Sequence, residues 1–197
     1  MGIIFDTPNF EFLKDKTEFR SFAQVCIKAE ESFKSDPTTC VRNCRAALES
    51  VVKWVYAHDN RFKIDEKFKN ARRDDGKTVG PLFKMTASHD FCRAVGGELL
   101  TGIHYIRMIG NNAMHGEEDF DLPTNFVAKP EEAITCLRNL FDFVQWVDRK
   151  YGNNYKSREF DPKEVPVEPS NFEKIAKGGV IVAVTLLVKA LLDDNKR

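Results

Sequence analysis

Apolar residues recur at helical spacing in one stretch after another along this chain, and the stretches are separated by short polar or proline-bearing segments. Phe19, Phe22, Ala23, Val25, Cys26, Ala29 and Phe33 trace a broad apolar face, which predicts a first helix from about Thr17 to Ser35. Phe10 and Phe12 precede it as two aromatic anchors. Asp36-Pro37 then reads as an N-cap followed by proline at the first helical position, where the missing amide hydrogen has no intrahelical partner to lose. A long helix to about His58 follows, with Val41, Cys44, Leu48, Val51, Val52, Val55 and Tyr56 facing inward. Pro130 opens the most regular pattern: Ala133, Ile134, Leu137, Leu140, Phe141, Val144, Trp146 and Val147 predict a helix closed by Arg149-Lys150 and Gly152. The predicted fold class is all-α, a helical bundle with a proline-containing strap and an apolar C-terminal segment.

Between the long helices the punctuation is denser. Phe62, Ile64 and Phe68 predict a short helix or lid on the bundle, and Pro81 to Ala87 another short helix. Ser88 is positioned to cap a helix carrying Phe91, Cys92, Val95 and Leu99, with Gly96-Gly97 leaving its continuity open. The run Ile103 to Gly116 is the most informative. Ile103, Ile106, Ile109 and Met114 give it an apolar side, while His104, Arg107, Asn111, Asn112 and His115 crowd polar chemistry into a few turns. Arg107, Asn111 and His115 lie four apart and share a face on an ideal helix. That face suits anion binding or the knitting of two helices. Gly110 lowers helix stability by up to about 1 kcal/mol against Ala, so either another backbone comes close to it or the helix breaks there.

Charge narrows the functional classes. The 197 residues hold 30 basic and 30 acidic side chains, so bulk attraction does not draw a polyanion. The length suits one sizeable core with an appendage. Arg72-Arg73 with Lys69 nearby form a local basic spot, read either as a solvated loop or as a phosphate-contacting element beside Arg107. Glu117, Glu118, Asp119 and Asp121 follow His115, but consecutive loop carboxylates with one imidazole do not make a metal site. Cys26, Cys40, Cys44, Cys92 and Cys136 have no zinc spacing and read as small core residues in a reducing compartment. No metal and no cofactor is expected. The absence of a basic-then-apolar leader predicts a cytoplasmic protein.

Pro162, Pro166 and Pro169 mark the strap or linker. Val180 to Leu192, which includes Leu187, is then almost wholly apolar and too short for a comfortable membrane span; it reads as a partner-docking segment or the opening of a further domain, with packing on the same bundle and membrane insertion as the alternatives. The expected division is a helical domain over 1–156, a linker or strap over 157–170 and a C-terminal segment over 171–197.

Several of these residues carry a resemblance. Asn9-Phe10-Glu11-Phe12, the Asp36-Pro37 helix start, Arg45 and Glu49 one turn apart, then Arg107, Gly110, Asn111, Ala113 and His115, and finally Ala133, Leu137, Trp146 and Arg149 to Tyr151 resemble domain-of-unknown-function family 4145. That family is a branch of the helical HEPN superfamily found at the N-terminus of type I restriction enzyme R subunits and in other prokaryotic defence proteins. The resemblance covers roughly residues 8–156 and implies a helical bundle that often dimerises.

Catalytic members of the superfamily cleave RNA with an arginine and a histidine four to six residues apart, a polar residue following the arginine. Aligning Asn111 and His115 with that pattern puts Gly110 in the arginine position, and seven residues separate Arg107 from His115. Two functions are compatible with these residues. One is a non-catalytic accessory or assembly module holding a second copy or a partner protein, with RNA or DNA contact through Lys69, Arg72, Arg73 and Arg107. In it Arg45, Glu49, Gly110, Ala113, Val180 and Leu187 serve structure or association, and Arg107 pairs with Glu49. The other is a metal-independent ribonuclease at a dimer interface. There His115 would act as acid or base, Arg107 would stabilise the phosphorane charge and Asn111 would position phosphate or ribose. The chain has no GxxxxGK[ST] loop and no carboxylate-and-lysine set for metal-dependent DNA cleavage, so those activities could belong only to a larger parent protein.

Overall fold

The computed structural model describes residues 9–74, 76–114 and 126–165, together with the backbone of His115. Among these it is an all-α bundle whose only β feature is an isolated antiparallel bridge between Arg72 and Thr78. Seven α-helices follow in order among the described residues: α1 Arg20–Glu31, α2 Pro37–His58, α3 Glu66–Lys69, α4 Pro81–Thr86, α5 His89–Val95, α6 Gly97–His115 and α7 Pro130–Tyr151. The first predicted helix is shorter than its apolar pattern, because 3-10 turns at Thr17–Phe19 and Ser32–Lys34 take up both ends.

The start of α2 follows from its first residues. Thr39 N donates to Asp36 Oδ2 at 2.6 Å, and Pro37 occupies the first turn. At α7 the side chain of Glu132 reaches back to accept from Lys129 N at 2.8 Å. Ser88 precedes α5 but does not cap it through its side chain; its hydroxyl donates to the Lys63 carbonyl and holds the α2–α3 connection down. Gly96, at φ 87°, ends α5, and α6 begins at the next residue. The left-handed backbone there admits glycine with no Cβ penalty.

Helix α2 is the hub. Gly110 and Ala113 of α6 lie against Arg45 and Arg42 respectively, so these two helices run antiparallel. Helix α7 runs parallel to α2: Ala128 N donates to Thr38 Oγ1 at one end and Tyr151 Oη to Asp59 at the other. Phe19 and Phe22 pack edge-on against Trp54 and turn α1 antiparallel to α2. The interior is aliphatic and aromatic, with Val41, Leu48, Val51, Ile103, Ile106, Leu137, Leu140 and Phe143 fully buried. Cys26, Cys40, Cys44 and Cys136 are buried free thiols, as their helical positions predict.

The strap is part of the bundle as far as it is described. Asn9 N, Asn9 Nδ2 and Phe10 N donate to the buried Glu30 carboxylate, while Asp161 N donates to Asn9 Oδ1 at 2.7 Å. Arg158 lies over Phe12, Phe160 packs on Phe141, and Val165 is buried. The apolar tail, including Val180 and Leu187, lies outside the described residues. No helix among the described residues is long and apolar enough to cross a membrane.

Candidate functional site

The central polar run forms one unbroken helix, and Gly110 is explained by close approach. A Cβ on Gly110 would stand 2.5 Å from Arg45 Cβ and 3.0 Å from its Cγ and Cδ. Beside this contact Arg45 Nε donates to Asn111 Oδ1 at 2.5 Å, and Arg42 Nε donates to the Ala113 carbonyl at 2.5 Å. Arg45 also meets Glu49 at 3.4 Å, and Glu49 takes Lys53 at 2.7 Å. Two arginines of α2 thus hydrogen-bond the last turns of α6. Ala113 is buried in the same seam, where a small side chain lets the helices meet.

Arg107 goes elsewhere. Its guanidinium lies 4.8 Å from the centre of the Phe83 ring and its Nη2 donates to His104 Nδ1 at 3.2 Å. The anticipated Arg107–Glu49 pair is therefore replaced by Arg45–Glu49, because Arg45 is on the same helix as Glu49, one turn away, and Arg107 turns onto α4. Arg107 Nε is buried and makes no hydrogen bond among the described residues. Burial, and then the nearby Arg45, pull the Arg107 pKa below its usual value. Burial and then Arg107 likewise lower that of His104, favouring a neutral imidazole that accepts at Nδ1.

The face predicted from four-residue spacing is thus divided. Asn111 is taken by Arg45, Arg107 by His104 and Phe83, and the side chain of His115 lies outside the described residues. His104 is the residue whose role the spacing argument passed over; it stands one turn before Arg107, the i, i+3 relation that does bring side chains together.

The basic loop reaches the same neighbourhood through aromatic contacts. Phe68 of α3 meets Phe83 edge-on at 5.6 Å, with Lys67 4.8 Å over the Phe68 ring. Lys69 pairs with Glu66, and its carbonyl accepts from Lys84 Nζ at 2.6 Å. Arg72 Nη1 donates to the Gly76 carbonyl at 2.9 Å, and Arg73 N to the Lys77 carbonyl at 2.8 Å, folding the loop back on itself. The segment predicted as helix or lid is therefore a single helical turn followed by a tight loop. No group of three His, Cys, Asp or Glu side chains capable of holding a metal occurs among the described residues.

No family model, curated protein or solved structure matches this chain.

Proposed function

We propose that this chain is a non-catalytic helical association module of the HEPN-like kind, a cytoplasmic accessory domain of a prokaryotic defence or type I restriction system. The observation that carries this reading is the Arg45–Asn111 hydrogen bond beside Gly110. It commits the polar position of the motif to joining α2 and α6, instead of leaving it open to a substrate. Exposed Met108 and Met114 on α6, with Val127 beyond it, supply apolar surface for a second copy or a partner protein, and flexible methionines adapt to such contacts. The free cysteines suit a reducing compartment.

A second reading has its own support in Arg107. A half-buried guanidinium beside Arg45, lying over Phe83, which in turn meets Phe68 edge-on, is an arrangement that nucleic-acid phosphate would complement. Contact with RNA or DNA along Lys69, Arg72, Arg73 and Arg107 follows from it, and ribonuclease action would add His115.

Light scattering of wild type and Met108→Lys, alongside cleavage of labelled single-stranded and structured RNAs in EDTA, tests the two together. The association reading expects an assembly that Met108→Lys weakens, and no RNA turnover. Turnover by wild type that is lost in both Arg107→Ala and His115→Ala, at unchanged mass, would overturn the non-catalytic assignment. A wild-type monomer at all concentrations would remove self-association.

A further inference from the structure

At the end of the bundle where α2 and α7 terminate, a second cluster of cations faces an open cleft of about 550 Å³ lined by Arg61, Phe62, Asp90, Arg93, Ala94 and Lys150. Its walls come from three separated segments: the α2–α3 connection, α5 and the last turn of α7. Arg61 is fixed in place. Its Nε and Nη2 donate to the two oxygens of Asp59 at 2.8 and 2.6 Å, and Tyr151 Oη donates to the same carboxylate at 2.8 Å. The remaining guanidinium N–H groups of Arg61 are left for the cleft.

Lys150 is fixed by aromatic faces. Its Nζ stands 4.6 Å from the Trp146 ring centre, 5.3 Å from that of Phe62 and 5.6 Å from that of Tyr151. These contacts hold the ammonium without using its three N–H donors. Lys150 has no carboxylate within ion-pair distance among the described residues, and neither does Arg93. Burial and then Arg61 lower the Lys150 pKa, with Asp59 opposing them. The lining contains a single carboxylate, Asp90, which also meets His89 at 3.5 Å. With Arg61 balanced by Asp59, Arg93 and Lys150 exceed Asp90 by one positive charge, and all three cations retain donors.

We propose that this cleft binds a dianionic phosphate group, either free phosphate or the terminal phosphate of a small phosphomonoester. A phosphate monoester carries about −1.5 to −2 charge near neutral pH and has three strong acceptor oxygens, which suits donors converging from three walls. Arg61 supplies a rigid planar edge, Arg93 a second guanidinium, and Lys150 a point charge held on its aromatic seat. Phe62 and Ala94 form the apolar part of the lining. The site is separate from the Arg107 cluster and does not depend on the association reading.

The test is calorimetric titration of the full chain at low salt with sodium phosphate, adenosine 5′-monophosphate and adenosine. It is repeated on Arg93→Gln, Lys150→Gln and Lys53→Gln. Arg93 and Lys150 are exposed, so their variants keep the fold, and Lys53 is an exposed lysine elsewhere on α2. The expected result is phosphate binding weakened roughly tenfold in Arg93→Gln and in Lys150→Gln, and unchanged in Lys53→Gln. Tighter binding of the nucleotide than of phosphate identifies a phosphomonoester as the ligand, and equal binding identifies free phosphate. The proposal is overturned by absence of binding up to about 10 mM phosphate, a concentration that would reveal even millimolar affinity. It is equally overturned by an equal loss in Lys53→Gln, or by adenosine binding as tightly as its phosphate.

Discussion

Replacing Gly110 by alanine tests the close approach of α2 and α6 directly. In an unobstructed helix interior the change would stabilise by about 1 kcal/mol, through propensity alone. Here the new methyl would stand 2.5 Å from Arg45 Cβ, an atom fixed to the backbone of α2 and unable to swing away. Carbon atoms in contact prefer about 3.5–4.0 Å, so the helices must separate by about 1 Å or more. Overpacking of this kind costs about 1–3 kcal/mol. Separation also stretches the Arg45–Asn111 hydrogen bond, and a bond to a charged group contributes about 1.5–3 kcal/mol. The penalties outweigh the propensity gain, and a net loss of about 1–3 kcal/mol is expected. Urea unfolding followed by far-ultraviolet circular dichroism measures it. Gly97→Ala is the control, since nothing lies within 4 Å of a Cβ there and its φ is not positive. That variant should be neutral or stabilised by up to about 1 kcal/mol. A Gly110→Ala protein more stable than wild type would refute the close-approach argument.

Three further outcomes follow from buried charge and thiol chemistry. Asp148 is fully buried and pairs with Lys16 at 2.7 Å and Arg158 at 3.5 Å, so Asp148→Ala should lower unfolding stability by about 3–5 kcal/mol; a loss below about 1 kcal/mol would contradict the pairing. The Arg61 hydrogen bond, with further help from Tyr151, holds the Asp59 pKa far below its ordinary 3.8, so its stabilisation is complete above that value and is lost as pH falls through the folded pKa. Stability measured across acid pH should therefore decline less steeply in Asp59→Asn than in wild type. Burial raises the thiol pKa of Cys26, Cys44, Cys92 and Cys136, but Cys92 alone among the five cysteines is partly exposed. Brief alkylation of the native protein, read by peptide mass spectrometry, should label Cys92 first, and preferential labelling of Cys26 or Cys136 would contradict the packing.

The long helices were legible where capping chemistry and periodicity agree. Asp36-Pro37 marks the first turn of α2, and Pro130 with Arg149-Lys150 frames α7, because these signals act within a few residues. The junction of α5 and α6 was ambiguous, since composition does not reveal that Gly96 alone adopts a positive φ while Gly97 continues into helix. Gly110 left two possibilities because close approach is a property of two helices, and its partner lies 65 positions away along the chain at Arg45. The polar site was the least legible part. Four-residue spacing places Arg107 and Asn111 on one face, but which neighbour each side chain meets depends on α2 and α4, and those tertiary partners draw them apart. The phosphate-binding cleft was missed for the same reason. Arg61, Arg93 and Lys150 belong to three segments that periodicity treats separately.

Asn9 and Asp161 clasp each other through two hydrogen bonds. Asp161 N donates to Asn9 Oδ1, and Asn9 Nδ2 donates back to the Asp161 carbonyl, so the path through the fold returns to the place where Asn9 enters it. The two ends of the described bundle therefore lie side by side. A permuted chain whose original ends are joined by a linker, and which is cut in the exposed turn at Gly76, is expected to retain the described helices and the α2–α6 seam. On that expectation, the order of the described helices along the polypeptide is separable from their arrangement in space.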